Sequence, residues 1–118
     1  MKIIIPMTGK SKRFKEVGIN TPKQFLSIGN KTIIEHTLDM FPGEKDINFI
    51  ISTEDSSDEN LKNYFKKISK YNFTVIEHQK AGPGAAVLES GLLDTNDDVL
   101  INYCDFSNKW DWKEFLSF

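Results

Sequence analysis

Lys2-Ile3-Ile4-Ile5-Pro6-Met7-Thr8-Gly9-Lys10-Ser11 decides the fold class of this chain. Three consecutive β-branched residues make too short a run for a helix. A proline and then Thr-Gly-Lys-Ser follow them, so the stretch reads as a buried strand entering a polar, glycine-bearing loop. Apolar runs of the same kind return at Asn48-Phe49-Ile50-Ile51-Ser52, Phe73-Thr74-Val75-Ile76 and Val99-Leu100-Ile101. Strands that are apolar throughout, and not alternately, belong to parallel sheets covered on both faces.

The segments between these strands carry helical signals. Thr32-Ile33-Ile34-Glu35 is a capping box, and Ile33, Ile34, Thr37, Leu38 and Phe41 recur at helical spacing until Pro42-Gly43, which predicts a helix over about 32 to 41. Ser56-Ser57-Asp58-Glu59 is expected to cap a second helix, whose apolar residues are Leu61, Tyr64, Phe65, Ile68 and Tyr71. Gly82-Pro83-Gly84 reads as a tight loop and Ala85 to Leu93 as a third helix. Strands alternating with helices predict an α/β fold with a mainly parallel sheet between two helical layers, a three-layer α/β/α arrangement. Right-handed crossovers then bring Thr8 to Arg13, His78 to Gly84, and Asp105 to the carboxyl edge of the sheet, where such folds bind ligands.

Composition bounds the function. With 118 residues, 39% hydrophobic and 27% charged, the chain has the make-up of one soluble globular domain, residues 1–118. No apolar run approaches the length needed to cross a bilayer, and the single Cys104 allows no internal disulfide, so the expectation is a cytoplasmic protein without a membrane partner. Residues 1 to 31 hold seven cations against Glu16 alone, a balance of +6, which leaves −8 for the rest of a chain whose net charge is −2. A basic start beside glycine suits a small polyanion, and the acidic remainder argues against a nucleic-acid partner.

Two familiar phosphate motifs fail. A P-loop needs a glycine five positions before Gly9, where Ile4 sits inside the strand, and no G-x-G-x-x-G follows that strand. What remains is Ile4-Ile5-Pro6-Met7-Thr8-Gly9-Lys10-Ser11-Lys12-Arg13-Phe14, followed by Thr21-Pro22-Lys23-Gln24-Phe25-Leu26. Amide hydrogens in a glycine turn, a bidentate Arg13 and a point charge on Lys23 are suitable donors for a triphosphate.

This ordered set resembles the N-terminal half of the sugar nucleotidyltransferase family, within the wider group of MobA-like NTP transferases. Gly29-Asn30-Lys31-Thr32-Ile33-Ile34-Glu35-His36 and Gly82-Pro83-Gly84-Ala85-Ala86 extend the resemblance. It implies a nucleotide-diphospho-sugar transferase type of fold, and transfer of a nucleotidyl group from a nucleoside triphosphate to a sugar phosphate, for surface polysaccharide such as capsule. It also implies site roles. Arg13 and the turn at Thr8, Gly9 and Ser11 would hold the β- and γ-phosphates, and Lys23 would stabilise charge at the α-phosphate. Gly82, Pro83 and Gly84 would face the base, and Asp105 would bind Mg2+. Ser11 and Thr8 depart from the family pattern, which commonly has smaller residues there. Members of that family are roughly twice as long, so the resemblance covers a domain cut short at its C-terminus. The alternatives are then a domain completed by another chain or a homo-oligomer, and a non-catalytic remnant that binds nucleotide or a partner. A glycosyltransferase of similar fold is disfavoured, since no Asp-x-Asp motif lies near Asp105.

His36 within a helix, His78 in a loop, and Cys104 read as structural or solvated groups. Trp110, Trp112, Phe115, Leu116 and Phe118 form an apolar end that reads as core or interface.

Overall fold

A computed structural model describes residues 1–7, 27–57, 59–77, 83–103 and 111–117. In chain order the elements are β1 (Lys2–Pro6), β2 (Ser27–Ile28), β3 (Lys31–Thr32), α1 (Ile33–Leu38), β4 (Ile47–Ser52) and α2 (Thr53–Ser56). A 3-10 turn (Glu59–Leu61) follows, then α3 (Lys62–Lys67), β5 (Asn72–Ile76), α4 (Pro83–Ser90), β6 (Val99–Ile101) and α5 (Trp112–Leu116). The described residues fall into two compact units, one drawn from 1–9 and 45–103, the other from 10–44 and 104–118.

The first unit is an α/β layer structure. Its four strands are all parallel, in the order β5-β4-β1-β6. Ile3, Ile4 and Ile5 are fully buried, as are Phe49 and Ile50 on the neighbouring strand, and each such side chain contributes about 1.5–3 kcal/mol of burial. Residues two apart share a face. Ile4, Ile50 and Ile76 form one core cluster with Ala86 and Val87 of α4, while Phe73 on the opposite face meets Phe65 of α3 edge-on at 6.0 Å. Helices therefore cover both faces, as continuous apolar strands require.

Asn48 is the buried exception on β4. Its amide Nδ2 donates to the Ile3 carbonyl at 3.3 Å, to the Asp46 carbonyl at 3.2 Å and to Asp46 Oδ1 at 2.9 Å, so a polar side chain sits satisfied in an apolar strand.

The expected second helix is broken. Ser56 does not cap it; the Ser56 and Ser57 hydroxyls both donate back to the Thr53 carbonyl, and helix begins three residues earlier at Thr53. Leu61 and Ile68, seven residues apart, anchor α3 instead. Pro83 and Gly84 are likewise not a loop but the first turn of α4, since a proline at the first helical position loses no helix bond. The helix stops at Ser90, short of Leu93, because Gly91 takes φ +74°.

Among its described residues the second unit has a small hairpin and two helices. Ser27–Ile28 and Lys31–Thr32 are antiparallel around Gly29-Asn30, with Gly29 at φ +68° supplying the positive φ of a two-residue turn. The capping box is present in full: Thr32 Oγ1 accepts from the Glu35 amide at 3.3 Å, and Glu35 Oε1 accepts from the Thr32 amide at 3.2 Å. After Leu38 the chain tightens, with Phe41 N–H donating to the Leu38 carbonyl, so α1 ends three residues before the expected 41. His36 Nε2 lies 2.8 Å from the Ile28 carbonyl, which ties helix to hairpin. Lys31 bonds Asp39 at 2.6 Å, and this hydrogen bond and charge raise its pKa above the ordinary lysine value. That contribution would be present at neutral pH and lost only as pH rises through the raised value. Trp112 is buried edge-on to Phe41 at 5.2 Å and stacked on Phe115, with its indole N–H donating to Glu44, so the apolar C-terminal stretch supplies core to its own unit.

Candidate functional site

Strand order locates the site. The chain steps outward from β1 to β4 to β5, then crosses back to place β6 on the other side of β1. In an open parallel sheet this reversal leaves a crevice at the carboxyl ends of the two strands between which it occurs, here β1 and β6.

Pro6 sets where that crevice begins. Odd-numbered residues of β1 donate toward β4, as Ile3 N–H to the Asp46 carbonyl at 2.9 Å and Met7 N–H to the Ile50 carbonyl at 2.8 Å. Even-numbered residues face β6: Lys2 N–H donates to the Asp98 carbonyl at 2.8 Å, and the Ile4 carbonyl accepts from Asn102 N–H at 3.0 Å. The next donor toward β6 would belong to residue 6, and proline has none. The ladder to β6 thus ends at Asn102 while the ladder to β4 continues to Met7. The strands are free to part on the switch-point side alone.

Three segments leave the sheet at this edge. Met7, buried, leads from β1 toward Thr8; α4 begins at Pro83 after β5; Asn102 and the exposed Tyr103 lead from β6 toward Asp105. Thr8, Gly9, Ser11, Arg13, Lys23, Gly82 and Asp105 themselves lie outside the described residues, as do His78 and Cys104. Pro83 and Gly84 lie at the start of α4. A Cβ added at Gly84 would meet nothing within 4 Å, so the fold's own packing gives no reason for glycine there. The edge is braced by Thr53, whose hydroxyl donates to the Ile76 carbonyl at 3.2 Å, and by Asn102 Nδ2, which donates to the Tyr103 carbonyl at 2.8 Å. Among the described residues no group of three or more His, Cys, Asp or Glu could hold a metal, and no helix is long and apolar enough to cross a membrane.

What the sequence does not disclose is the asymmetric role of Pro6. The proline is visible, but which strand it fails to bond depends on the order of strands around β1, a tertiary fact.

Comparison with known proteins agrees with this geometry. A solved nucleoside-diphosphate-sugar pyrophosphorylase from Vibrio cholerae RC9 superposes with a TM-score of 0.64 at 22% identity, over 87% of this chain and 47% of that one, a likeness of fold. A 2-C-methyl-D-erythritol 4-phosphate cytidylyltransferase from Neisseria meningitidis serogroup C / serotype 2a is 30% identical over 105 residues, covering 84% of this chain and 44% of the relative. One from Caldicellulosiruptor bescii is 41% identical over 71 residues, 59% of this chain and 30% of the relative. The chain thus spans less than half the length of these relatives. The family model described as IspD, 2-C-methyl-D-erythritol 4-phosphate cytidylyltransferase, matches residues 1–78, and with two thirds of its length so matched the chain belongs to that family of nucleotidyltransferases.

Proposed function

We propose that this chain is a nucleotidyltransferase-like domain that binds CTP at the carboxyl edge between β1 and β6, and transfers its cytidylyl group to a sugar phosphate with release of pyrophosphate. The observation that carries the reading is the strand order, with the Pro6 break beside it: β1 and β6, the strands that precede Gly9 and Asp105 in sequence, are parallel neighbours whose carboxyl ends share one edge. The relatives' names supply the base and the acceptor, 2-C-methyl-D-erythritol 4-phosphate. Surface-polysaccharide precursors, the acceptors implied by the sequence resemblance, draw no support from those names.

In this reading an acceptor phosphate oxygen attacks the α-phosphorus in line, the bond between the α-phosphorus and its bridging oxygen breaks, and pyrophosphate leaves. No protein nucleophile is needed, so the chain's task is positioning and charge neutralisation. Arg13 with the turn at Thr8, Gly9 and Ser11 holds the β- and γ-phosphates. Lys23 stabilises charge developing at the α-phosphate. The amides and carbonyls around Gly82, Pro83 and Gly84 approach the cytosine edge, where a side chain at position 84 would intrude. A carboxylate such as Asp105 is a fitting ligand for Mg2+, which would offset the charge of the triphosphate.

The chain's share of its relatives' length favours one other reading, a nucleotide-binding unit that needs a further polypeptide for turnover. One experiment separates them. Purified chain is incubated with CTP, Mg2+ and 2-C-methyl-D-erythritol 4-phosphate, pyrophosphate release is followed, and CTP binding is measured in parallel by calorimetry. Transfer that falls by about 100-fold or more in Lys23→Ala and Asp105→Ala is the expected result. Saturable CTP binding without transfer selects the second reading, and no CTP binding at all refutes both.

A further inference from the structure

The break between α2 and α3 leaves a hollow on the sheet face away from α4. Where one continuous helix would lie across β4 and β5, the chain turns at Ser57 and restarts in a 3-10 turn, and a hollow opens beside α3 above buried Ile51 and half-buried Phe73. The result is a cavity of about 360 Å³ lined by Ile51, Ser56, Lys62, Phe65, Lys66, Ser69 and Phe73. That volume is at the lower end of small-molecule pockets. Its floor is apolar: Ile51 and Phe73 from the sheet, with Phe65 edge-on to Phe73. Its rim is cationic and hydroxylic, because Lys62, Lys66 and Ser69 fall at i, i+4 and i+7 on one face of α3 and its C-terminal turn.

Local charge is equally distinctive. Residues 60 to 76 contain Lys62, Lys66, Lys67 and Lys70 and no acidic residue, within a part of the chain that is otherwise strongly acidic. Lys67 and Lys70 lie over the rings of Tyr64 and Tyr71, at 6.0 and 5.1 Å from their centroids. Lys62 is paired with Glu59 at 2.8 Å, an exposed contact that yields readily to a stronger anion. Neither the Lys66 ammonium nor the Ser69 hydroxyl has a partner among the described residues.

The geometry points to a second ligand site, distinct from the β1–β6 edge, that takes a small anionic amphiphile: an aromatic or branched apolar body seated on Ile51, Phe65 and Phe73, with one phosphate or carboxylate between Lys62 and Lys66. The floor alone would accept any apolar group, and the lysines alone any anion. Together they require both on one molecule, with the charge at the rim. The site lies over β4 and β5, and β1 separates it from the β6 side of the crevice, so its occupation is independent of nucleotide.

The test uses the full chain, isotope-labelled, titrated with 1-naphthyl phosphate and followed by NMR, with saturating CTP present. Saturable shifts at Ile51, Lys66, Ser69 and Phe73 are expected, with Kd at least 10-fold weaker for inorganic phosphate or 1-naphthol alone and at least 10-fold weaker for naphthyl phosphate in K62E/K66E. Both lysines are exposed, and circular dichroism of that variant checks its fold. Absence of saturable binding, loss of it when CTP is added, equal affinity in K62E/K66E, or equal affinity for inorganic phosphate would each overturn the site. So would sedimentation of the chain with phosphatidylglycerol vesicles in the absence of naphthyl phosphate binding, since α3 would then be a membrane-surface element.

Discussion

Asn48 shows how much a single residue can carry inside this sheet. It stands in an apolar strand with 5% exposure, and its amide serves three acceptors on two neighbouring segments, the Ile3 carbonyl of β1 and the backbone carbonyl and Oδ1 of Asp46. Replacing it by alanine removes a buried donor and leaves those oxygens one partner short, with a small void beside Ile3. The expected cost is about 1–3 kcal/mol, measured as a lowered urea midpoint without a change in slope. Asn48→Asp should be worse, because it sets a second carboxylate against Asp46 Oδ1 in a dry site. If both variants melted like the parent, the amide would be a passenger and the register of β4 on β1 would rest on packing alone.

Among the elements, α4 and the residue that ends it give two glycines with opposite expected signs. Gly84 has ordinary helical geometry and open space around its missing Cβ, so Gly84→Ala should stabilise the chain by about 0.5–1 kcal/mol. Gly91 has φ +74°, which an L side chain resists, so Gly91→Ala should destabilise it by about 1 kcal/mol. Chemical denaturation of the two variants checks both signs, and a drop in CTP affinity in the more stable Gly84→Ala would show that this glycine serves a ligand and not the fold. The same helix shows why element type is legible in a sequence and element limits are less so. The four strands are readable because each is an apolar run closed by polar residues, and the run expected at 48–52 is observed at Ile47–Ser52. The capping box at Thr32 is readable because both halves of it are local. The break at Ser57 is not, since the same serines that could cap a helix bond back to Thr53 instead, and choosing between them depends on how Leu61 and Ile68 are buried. Of the candidate site, the anchoring edge is legible from strand and helix order, and Pro83 and Gly84 are now placed on α4. Thr8, Gly9, Ser11, Arg13, Lys23, Gly82 and Asp105 lie outside the described residues, so their arrangement stays with the proposal.

For the whole molecule the decisive quantity is charge set against topology. Seven cations fall within the first 31 residues, and the remainder of the chain carries −8. In the proposed binding mode these cations would share one polyanionic ligand, and without it their like charges would repel. A triphosphate bound as proposed would neutralise them, and as a ligand of the folded state alone it should stabilise that state by mass action. The gain is about 2.7 kcal/mol at a CTP concentration 100 times the Kd. Long-range attraction is screened within roughly 10 Å at 0.1 M salt, so this stabilisation should shrink steadily as sodium chloride is raised, whereas the burial of Ile3, Ile4 and Ile5 should not weaken with it. Thermal melts of the parent and of Arg13→Ala/Lys23→Ala, with and without CTP, over a salt series provide the measurement. The parent should rise with CTP and lose that rise with salt. The double variant should melt at or slightly above the parent without CTP, having shed repulsion, and gain nothing when CTP is added. A CTP-dependent rise of equal size in both proteins would move the triphosphate away from residues 13 and 23, while leaving the parallel sheet and its switch point unchanged.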